Sequence, residues 1–341
     1  MMGMKVEVSS SARIHMGFYT VSSGGIAYGG MGLAIDRPEV TVRVSRAERL
    51  NVRNLTGVAV EPDVKEVFEQ LNLPGAEVTV LKAIPRHVGL GSTTQLRLCI
   101  AYGLSRVYGL RYGVKRLAFM LKRGWISGVG IAAFMHGGFI IDSGRTITEK
   151  GISEPKSPND LPAVMLRRPM PRSWKFIVAV PRGIRGLDER QERPFLRAPE
   201  MNPSLEHALH EAVLLEMLPA LARGDAEGFG AALTKVQRLV GRYFSKYQGG
   251  EFCCWETERL VEAMLEGGAY GVGQSSWGPT AYGLVEGSRM ARRLLEHMRR
   301  SADRIGIEAE LFVAQPRNRG FSFRALNSHD PSFPSGYSTI T

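Results

Sequence analysis

The sequence predicts a mixed α and β protein built as two domains, and three observations carry that expectation. The chain has 341 residues, more than one hydrophobic core usually serves. Strand-like alternation and helical spacing are interleaved in both halves. Between the halves, residues 151–173 hold five prolines and little periodicity, which places a domain boundary there. A composition of 44% hydrophobic and 23% charged residues excludes a collagen-like chain, a disordered one and a disulfide scaffold.

The elements follow in order. Residues 4–8 and 40–53 alternate as strands and frame a glycine-rich segment, Gly24 to Gly32, which reads as a loop. Helical spacing covers 63–71, and the strand at 76–85 is halted by Pro85. The sequence GLGS then leads into a helix from about Thr93 to Tyr108, with Leu96, Ile100, Leu104 and Val107 on one stripe. A helix at 113–122 precedes a second glycine-rich stretch, which runs into a strand from Gly138 to Asp142. The second half opens with a strand at 174–181 and continues with helices at about 204–223, 225–247 and 255–266, the last capped by Gly267 and Gly268. Strand, glycine loop and strand follow in AYGVGQSSWGPTAYGLVEG, then a basic helix at 287–304 and a strand at 307–315. The expected division is 1–160, 174–326 and a tail at 327–341.

Charge and cysteine content narrow the classes. The net charge is +11, carried by 34 Arg against 10 Lys, which favours anionic partners, since the guanidinium fork suits phosphate and carboxylate. The arginines are spread through every segment without interleaved aromatics, which argues against a nucleic-acid binder. Cys99 stands alone and Cys253 and Cys254 are adjacent, so neither a disulfide nor a zinc site is expected. No stretch approaches 18 apolar residues, and Met1 to Met4 leads into a strand-like segment, so no membrane association and a cytoplasmic address are expected.

Three glycine clusters carry the chemistry. In PRHVGLGSTTQL, residues 85–96, glycines after a strand and before a helix let backbone N–H groups approach an anion at the positive helix end. Gly89, Gly91, Ser92, Thr93, Thr94 and Gln95 form this cradle, and Arg86 adds charge; the competing reading is a capped helix after a tight turn. The second cluster holds Ser127, Gly128 and Gly130, and the third holds Gln274, Ser275, Ser276, Trp277 and Gly278. Together they suggest a cleft between domains that closes on a polyanion, against the plainer reading that 39 glycines merely make loops. Arg13 and His15, two residues apart in a strand, share a face and can hold an anion; a satisfied buried histidine is the alternative. His207, His210 and Glu211 lack the spacing of a metal-binding helix and read as a solvated face.

The segments ARIHMGF, GGMGLAID, HVGLGSTTQL, SGVGIAAFMHGGFIID and VGQSSWGPTAYGL together resemble the GHMP kinase superfamily and, within it, the branch of beta-ribofuranosylaminobenzene 5'-phosphate synthases. The resemblance runs from about residue 4 to about residue 326. It implies an α+β fold, with an N-terminal α/β domain of the GHMP type joined to a ferredoxin-like C-terminal domain, acting as a homodimer with Mg²⁺. The implied reaction joins 5-phosphoribosyl 1-diphosphate to 4-aminobenzoate or a related para-substituted benzoate, releasing carbon dioxide and diphosphate, in methanopterin-type cofactor synthesis.

By this resemblance, Gly89 to Gln95 bind the diphosphate. Ser127, Gly128 and Gly130 from the second cluster and Gln274 to Gly278 from the third complete the substrate site. Arg13 and His15 are catalytic candidates that hold the ribose phosphate or the benzoate carboxylate. Asp36 and Asp142 are the only acids inside the motif segments, placed to reach Mg²⁺ or the ring amine or to serve the fold; Asp36 is the catalytic candidate of the two. GHMP kinases carry an Asp base directly after Ser-Gly-Val or Ser-Gly-Ile, a position that is Gly130 here, which speaks against the rival reading of an ATP-dependent small-molecule kinase. Thr93 stands where related synthases tend to have Gly, a departure from the pattern.

Overall fold

The computed structural model describes residues 4–148, 151–186 and 201–326. Its first layer is a nine-stranded sheet built around one long hairpin, β1 (Lys5–Ser23) and β2 (Ile26–Ser45), which turns at Gly24 and Gly25. The glycine-rich segment expected as a loop is therefore mostly strand. Its glycines clear space across the strand instead of making turns: a Cβ on Gly30 would lie 2.6 Å from Ser127 Oγ, and one on Gly32 would lie 2.5 Å from the Ile14 carbonyl oxygen.

The expected continuous strand over 40–53 is also split. β3 (Leu50–Asn54) and β2 lie on opposite sides of β4 (Ala76–Lys82), so the chain leaves the sheet between them to cross over. Helix α1 (Glu61–Leu71) precedes β4, and α2 (Ser92–Val107) follows it. The expected stripe Leu96, Ile100, Leu104 and Val107 is buried, as are the valines at 6, 8, 42 and 44 of β1 and β2, in the same core. Helices α3 (Val114–Met120) and α4 (Val129–His136) lead to β5 (Phe139–Asp142), β6 (Arg145–Thr148) and β7 (Gly151–Ile152).

Strand β8 (Val164–Arg168) pairs with β5 and so belongs to the first sheet, although it lies beyond residue 160. The second layer is a four-stranded antiparallel sheet of β9 (Trp174–Pro181), β10 (Gly271–Gln274), β11 (Ala281–Glu286) and β12 (Ala309–Ala314). Numbered in chain order, its strands lie 4-1-3-2 across the sheet, with helices in the first and third connections, which is the ferredoxin-like arrangement expected.

Those connections hold α5 (Pro203–Glu211), a π-helical turn (Ala212–Met217), α6 (Leu218–Arg223), α7 (Ala226–Gln248), α8 (Trp255–Glu266) and α9 (Gly287–Ile305). In the basic helix α9, Ala291, Leu294, Met298 and Ala302 are buried while Arg292, Arg293, Arg299 and Arg300 are exposed, as amphipathic spacing requires. The last strand, β13 (Ser322–Leu326), returns to the first sheet and pairs with β1, from Lys5 opposite Leu326 to Ser9 opposite Ser322. The N-terminal sheet thus takes in residues on both sides of the ferredoxin-like unit. The tail expected at 327–341 lies outside the described residues. Among the described residues, no helix is long and apolar enough to cross a membrane.

Candidate active site

A cleft of about 640 Å³ opens where β1, the N-terminus of α2, the segment before α4 and the β10–β11 loop converge. Its floor is the turn before α2. Gly89 and Gly91 have φ of +90° and +80°, a region that favours glycine, and Gly91 caps α2 without a side chain. The first-turn N–H groups of a helix have no intrahelical acceptor. Here no acidic residue occupies that turn, and Ser92, Thr93 and Thr94 line the cleft. Thr93 is an ordinary helical residue at its rim.

Arg13, Arg86, Arg97, Lys122 and Arg123 also line it, against one carboxylate among the described lining residues, Glu66. Arg97 is tied to Glu66 and to the buried Asp63, which also pairs with Arg86 at 2.8 Å. The Arg13 guanidinium donates to the Gly89 carbonyl, and Arg123 Nε donates to Thr94 Oγ1 at 3.2 Å. The cleft is strongly cationic.

The β10–β11 loop supports this turn from the second domain. The two backbones pack so closely that a Cβ on Gly278 would lie 2.2 Å from the Gly89 nitrogen, and one on Gly89 would lie 2.1 Å from the Ser275 carbonyl. Ser275 Oγ donates to the Gly89 carbonyl at 2.7 Å and accepts from the His15 N–H at 3.0 Å. Gln274 accepts from the Cys253 N–H and donates to the Ser276 carbonyl.

Of the residues expected here, Gln274 and Ser275 therefore brace the loop, while Ser276, Trp277 and Gly278 face the cleft. Trp277 also packs edge-on against Phe244 with centroids 4.7 Å apart and is 8% exposed, so it joins the core while lining the site. Behind the loop, the Cys253 and Cys254 sulfurs lie 3.4 Å apart as free thiols.

Arg13 and His15 both line the cleft. Burial beside Arg13 holds the His15 pKa down to about 3, so its ring is neutral. Its Nδ1 accepts from the Gly17 N–H at 3.3 Å, and its Nε2 lies 3.2 Å from Ser127 Oγ. Ser127 in turn donates to Asp142 Oδ2 at 3.0 Å.

Asp142 is fully buried and accepts from the N–H groups of Gly30, Gly144, Gly128 and Val129 as well. It thereby anchors the start of α4. Burial raises its pKa to about 6 against the pull of those hydrogen bonds. Gly128 belongs to this anchor. Gly130 lines the cleft, and the atoms nearest to a Cβ there would be those of the Thr94 side chain, at 3.4 Å and beyond, which is ordinary contact.

Two expected residues lie elsewhere. Gln95 is buried, accepts from Ser10 Oγ at 2.6 Å and donates to the Gly130 carbonyl at 2.8 Å, joining α2 to β1 and α4. Asp36 lies away from the cleft, exchanging hydrogen bonds with the Gln315 backbone beyond β12. His207 and His210 sit on α5, and among the described residues no group of three or more His, Cys, Asp or Glu could hold a metal ion. The sequence did not single out Lys122 and Arg123, which follow α3 just before the Ser127 cluster.

The fold and this arginine-lined cleft define the class: the chain belongs to the GHMP kinase superfamily. The models of the GHMP kinases N terminal domain and the GHMP kinases C terminal region match residues 56–138 and 217–303. The chain is 29% identical over 303 residues to the beta-ribofuranosylphenol 5'-phosphate synthase of Methanothermobacter thermautotrophicus, covering 84% of this chain and 90% of that protein. It is 29% identical over 328 residues to the synthase of the same name from Archaeoglobus fulgidus, covering 92% and 98%. Among solved structures, homoserine kinase from Cytophaga hutchinsonii superposes with a TM-score of 0.67 at 18% identity, covering 94% of this chain and 97% of that one. That likeness establishes the fold alone.

Proposed function

We propose that the chain is a beta-ribofuranosylphenol 5'-phosphate synthase, joining 5-phosphoribosyl 1-diphosphate to a para-substituted benzoate with loss of carbon dioxide and diphosphate. Gly130 carries this reading. The position that holds the kinase base in the resemblance has room for a side chain and has none, so the cleft is built to bind phosphates without a carboxylate to activate an alcohol. The likeness to synthases of that name supports it, and their names put a para-hydroxybenzoate ahead of 4-aminobenzoate as acceptor.

In this reading the α2 N-terminus, Arg13, Lys122 and Arg123 hold the diphosphate as the anomeric C–O bond breaks and the ribose gains oxocarbenium character. The acceptor, held under the anomeric carbon, attacks through the ring carbon that bears the carboxylate, and loss of carbon dioxide restores aromaticity. With a single, already paired carboxylate among the described lining residues, the cleft suits a Mg²⁺ carried on the diphosphate and touched by the Ser92 and Thr93 hydroxyls, where it would offset charge on the leaving group.

The test is to incubate the protein, Mg²⁺ and phosphoribosyl diphosphate with carboxyl-labelled 4-hydroxybenzoate or 4-aminobenzoate and to measure released label. Release that requires both substrates is expected. ATP consumption with a hydroxylated metabolite, and no release from either benzoate, would instead establish the kinase.

A further inference from the structure

The hydrogen-bond line from His15 through Ser127 to Asp142 has a fixed direction. The Gly17 N–H occupies His15 Nδ1, so the ring proton sits on Nε2 and points at Ser127 Oγ. The Ser127 hydroxyl then spends its own hydrogen on Asp142 Oδ2. Its remaining contact, the Val129 N–H at 3.3 Å, is shared with Asp142 at 3.2 Å and yields readily to a ligand. Ser127 thus stands at the cleft wall as an acceptor with a buried carboxylate behind it.

Around it, His15 packs edge-on against Phe18 with centroids 5.1 Å apart, and Phe18, Ser276 and Trp277 line the same cleft as Ser127. Aromatic walls around one polar line suit a flat ring with a single polar substituent.

Building on the synthase reading, we infer that the part of the cleft lined by Phe18, Trp277 and Ser127 takes the aromatic acceptor, that Ser127 receives its para-hydroxyl, and that the Ser127–Asp142 pair selects a phenol over an aniline. The chemistry gains more from such an outlet with a phenol than with an aniline, because the hydroxyl is the weaker electron donor unless its proton leaves. The ring carbon that attacks lies para to the hydroxyl. As the C–C bond forms and the diphosphate C–O bond breaks, positive charge reaches that oxygen and its proton becomes strongly acidic.

The proton passes to Ser127 Oγ, whose own proton moves to Asp142. The C–CO₂ bond then breaks, its electron pair restores the ring as a phenolate, and the proton returns along the same line. No net proton is consumed. A para-amino group supplies its lone pair without giving up a proton and needs no such relay.

Asp142 serves because burial keeps its proton affinity above that of an ordinary carboxylate. The ionisable groups that face it are His15, through Ser127, and Tyr19, both on β1; Arg145 is turned to the Trp125 and Ser153 carbonyls.

The experiment compares carbon dioxide release from labelled 4-hydroxybenzoate and 4-aminobenzoate by wild type, Ser127→Ala and Ser127→Thr across pH 5 to 8, with phosphoribosyl diphosphate affinity from calorimetry as the check on folding. Ser127→Ala is expected to lower the ratio of kcat for hydroxyl over amino acceptor by about a hundredfold, and Ser127→Thr to recover most of it. The wild-type hydroxyl profile is expected to rise through about pH 6, and this limb to vanish in Ser127→Ala. Equal losses with both acceptors, or no loss, in a variant that binds phosphoribosyl diphosphate normally would overturn the relay and leave the synthase reading intact. Release from neither benzoate by wild type would overturn both.

Discussion

Gly91 joins two demands at one backbone position. Its φ of +80° lets the turn enter α2, and a Cβ there would lie 3.2 Å from Arg13 Cγ. A β-branched residue is strained in that region and would push Arg13 from the cradle. Gly91→Val is therefore expected to lose at least about tenfold in phosphoribosyl diphosphate affinity, one factor of ten being about 1.4 kcal/mol. Unchanged calorimetric affinity in a folded variant would show that the turn is not the anion site.

This position was legible in the sequence because a glycine pair, hydroxyls and a helix start stood in a row. The choice of Asp36 over Asp142 had no physical basis in the sequence, since each is an acid at the end of a motif. Only the fold shows one buried at the start of α4 and the other bonded to the Gln315 backbone. Gln95 likewise reads as part of the cradle by sequence position, yet its side chain turns inward to the Gly130 carbonyl.

Helix α4 is held at its start by a carboxylate that keeps its proton up to about pH 6, next to a histidine that stays neutral down to about pH 3. Their effects on stability have opposite signs. Between about pH 4 and 6 the folded chain keeps the Asp142 proton that the unfolded chain has released, so this contribution falls as pH rises. Between about pH 3 and 6.5 the unfolded chain binds a proton that folded His15 refuses, so that contribution climbs. In Asp142→Asn the histidine's slope stands alone. Denaturant titrations at pH 4, 5 and 6 are expected to show stability rising more steeply with pH than in wild type, and an unchanged slope would disprove the assignment.

Helix α2 and the ferredoxin-like elements were legible because their apolar spacing is local. The glycines of β2 were misread as a loop because what they make room for lies outside their own segment: Tyr19 and Ile14 on the paired strand, and Ser127, Val129 and Asp142 about a hundred residues away in the chain.

Two domains share the site, and the glycine contact between Gly89 and Gly278 leaves no slack between them. The five-proline segment marked where the chain changes sheets, but no local signal announced that β13 goes back. That return is secured by Phe321, stacked on Phe134 with centroids 4.5 Å apart and edge-on to Tyr102 at 4.6 Å. Phe321→Ala is expected to cost about 2–4 kcal/mol, somewhat below the range for a fully buried Phe because Phe321 is half-buried. It should also speed amide exchange along β1 from Lys5 to Ser9, the stretch paired with β13. Normal protection there would mean that β13 is held by its backbone pairing alone.

The same pairing sets an order of events during synthesis. Lys5 leaves the ribosome more than three hundred residues before Leu326, its partner. At about 5–20 residues per second, the free edge of β1 waits on the order of 15 to 60 seconds for its neighbour. Throughout that interval the nascent chain presents the Lys5–Ser9 edge with open hydrogen-bonding groups, the kind of surface on which neighbouring chains pair. A ribosome stalled anywhere in the ferredoxin-like unit would hold a molecule that already has most of its first sheet and cannot yet close it.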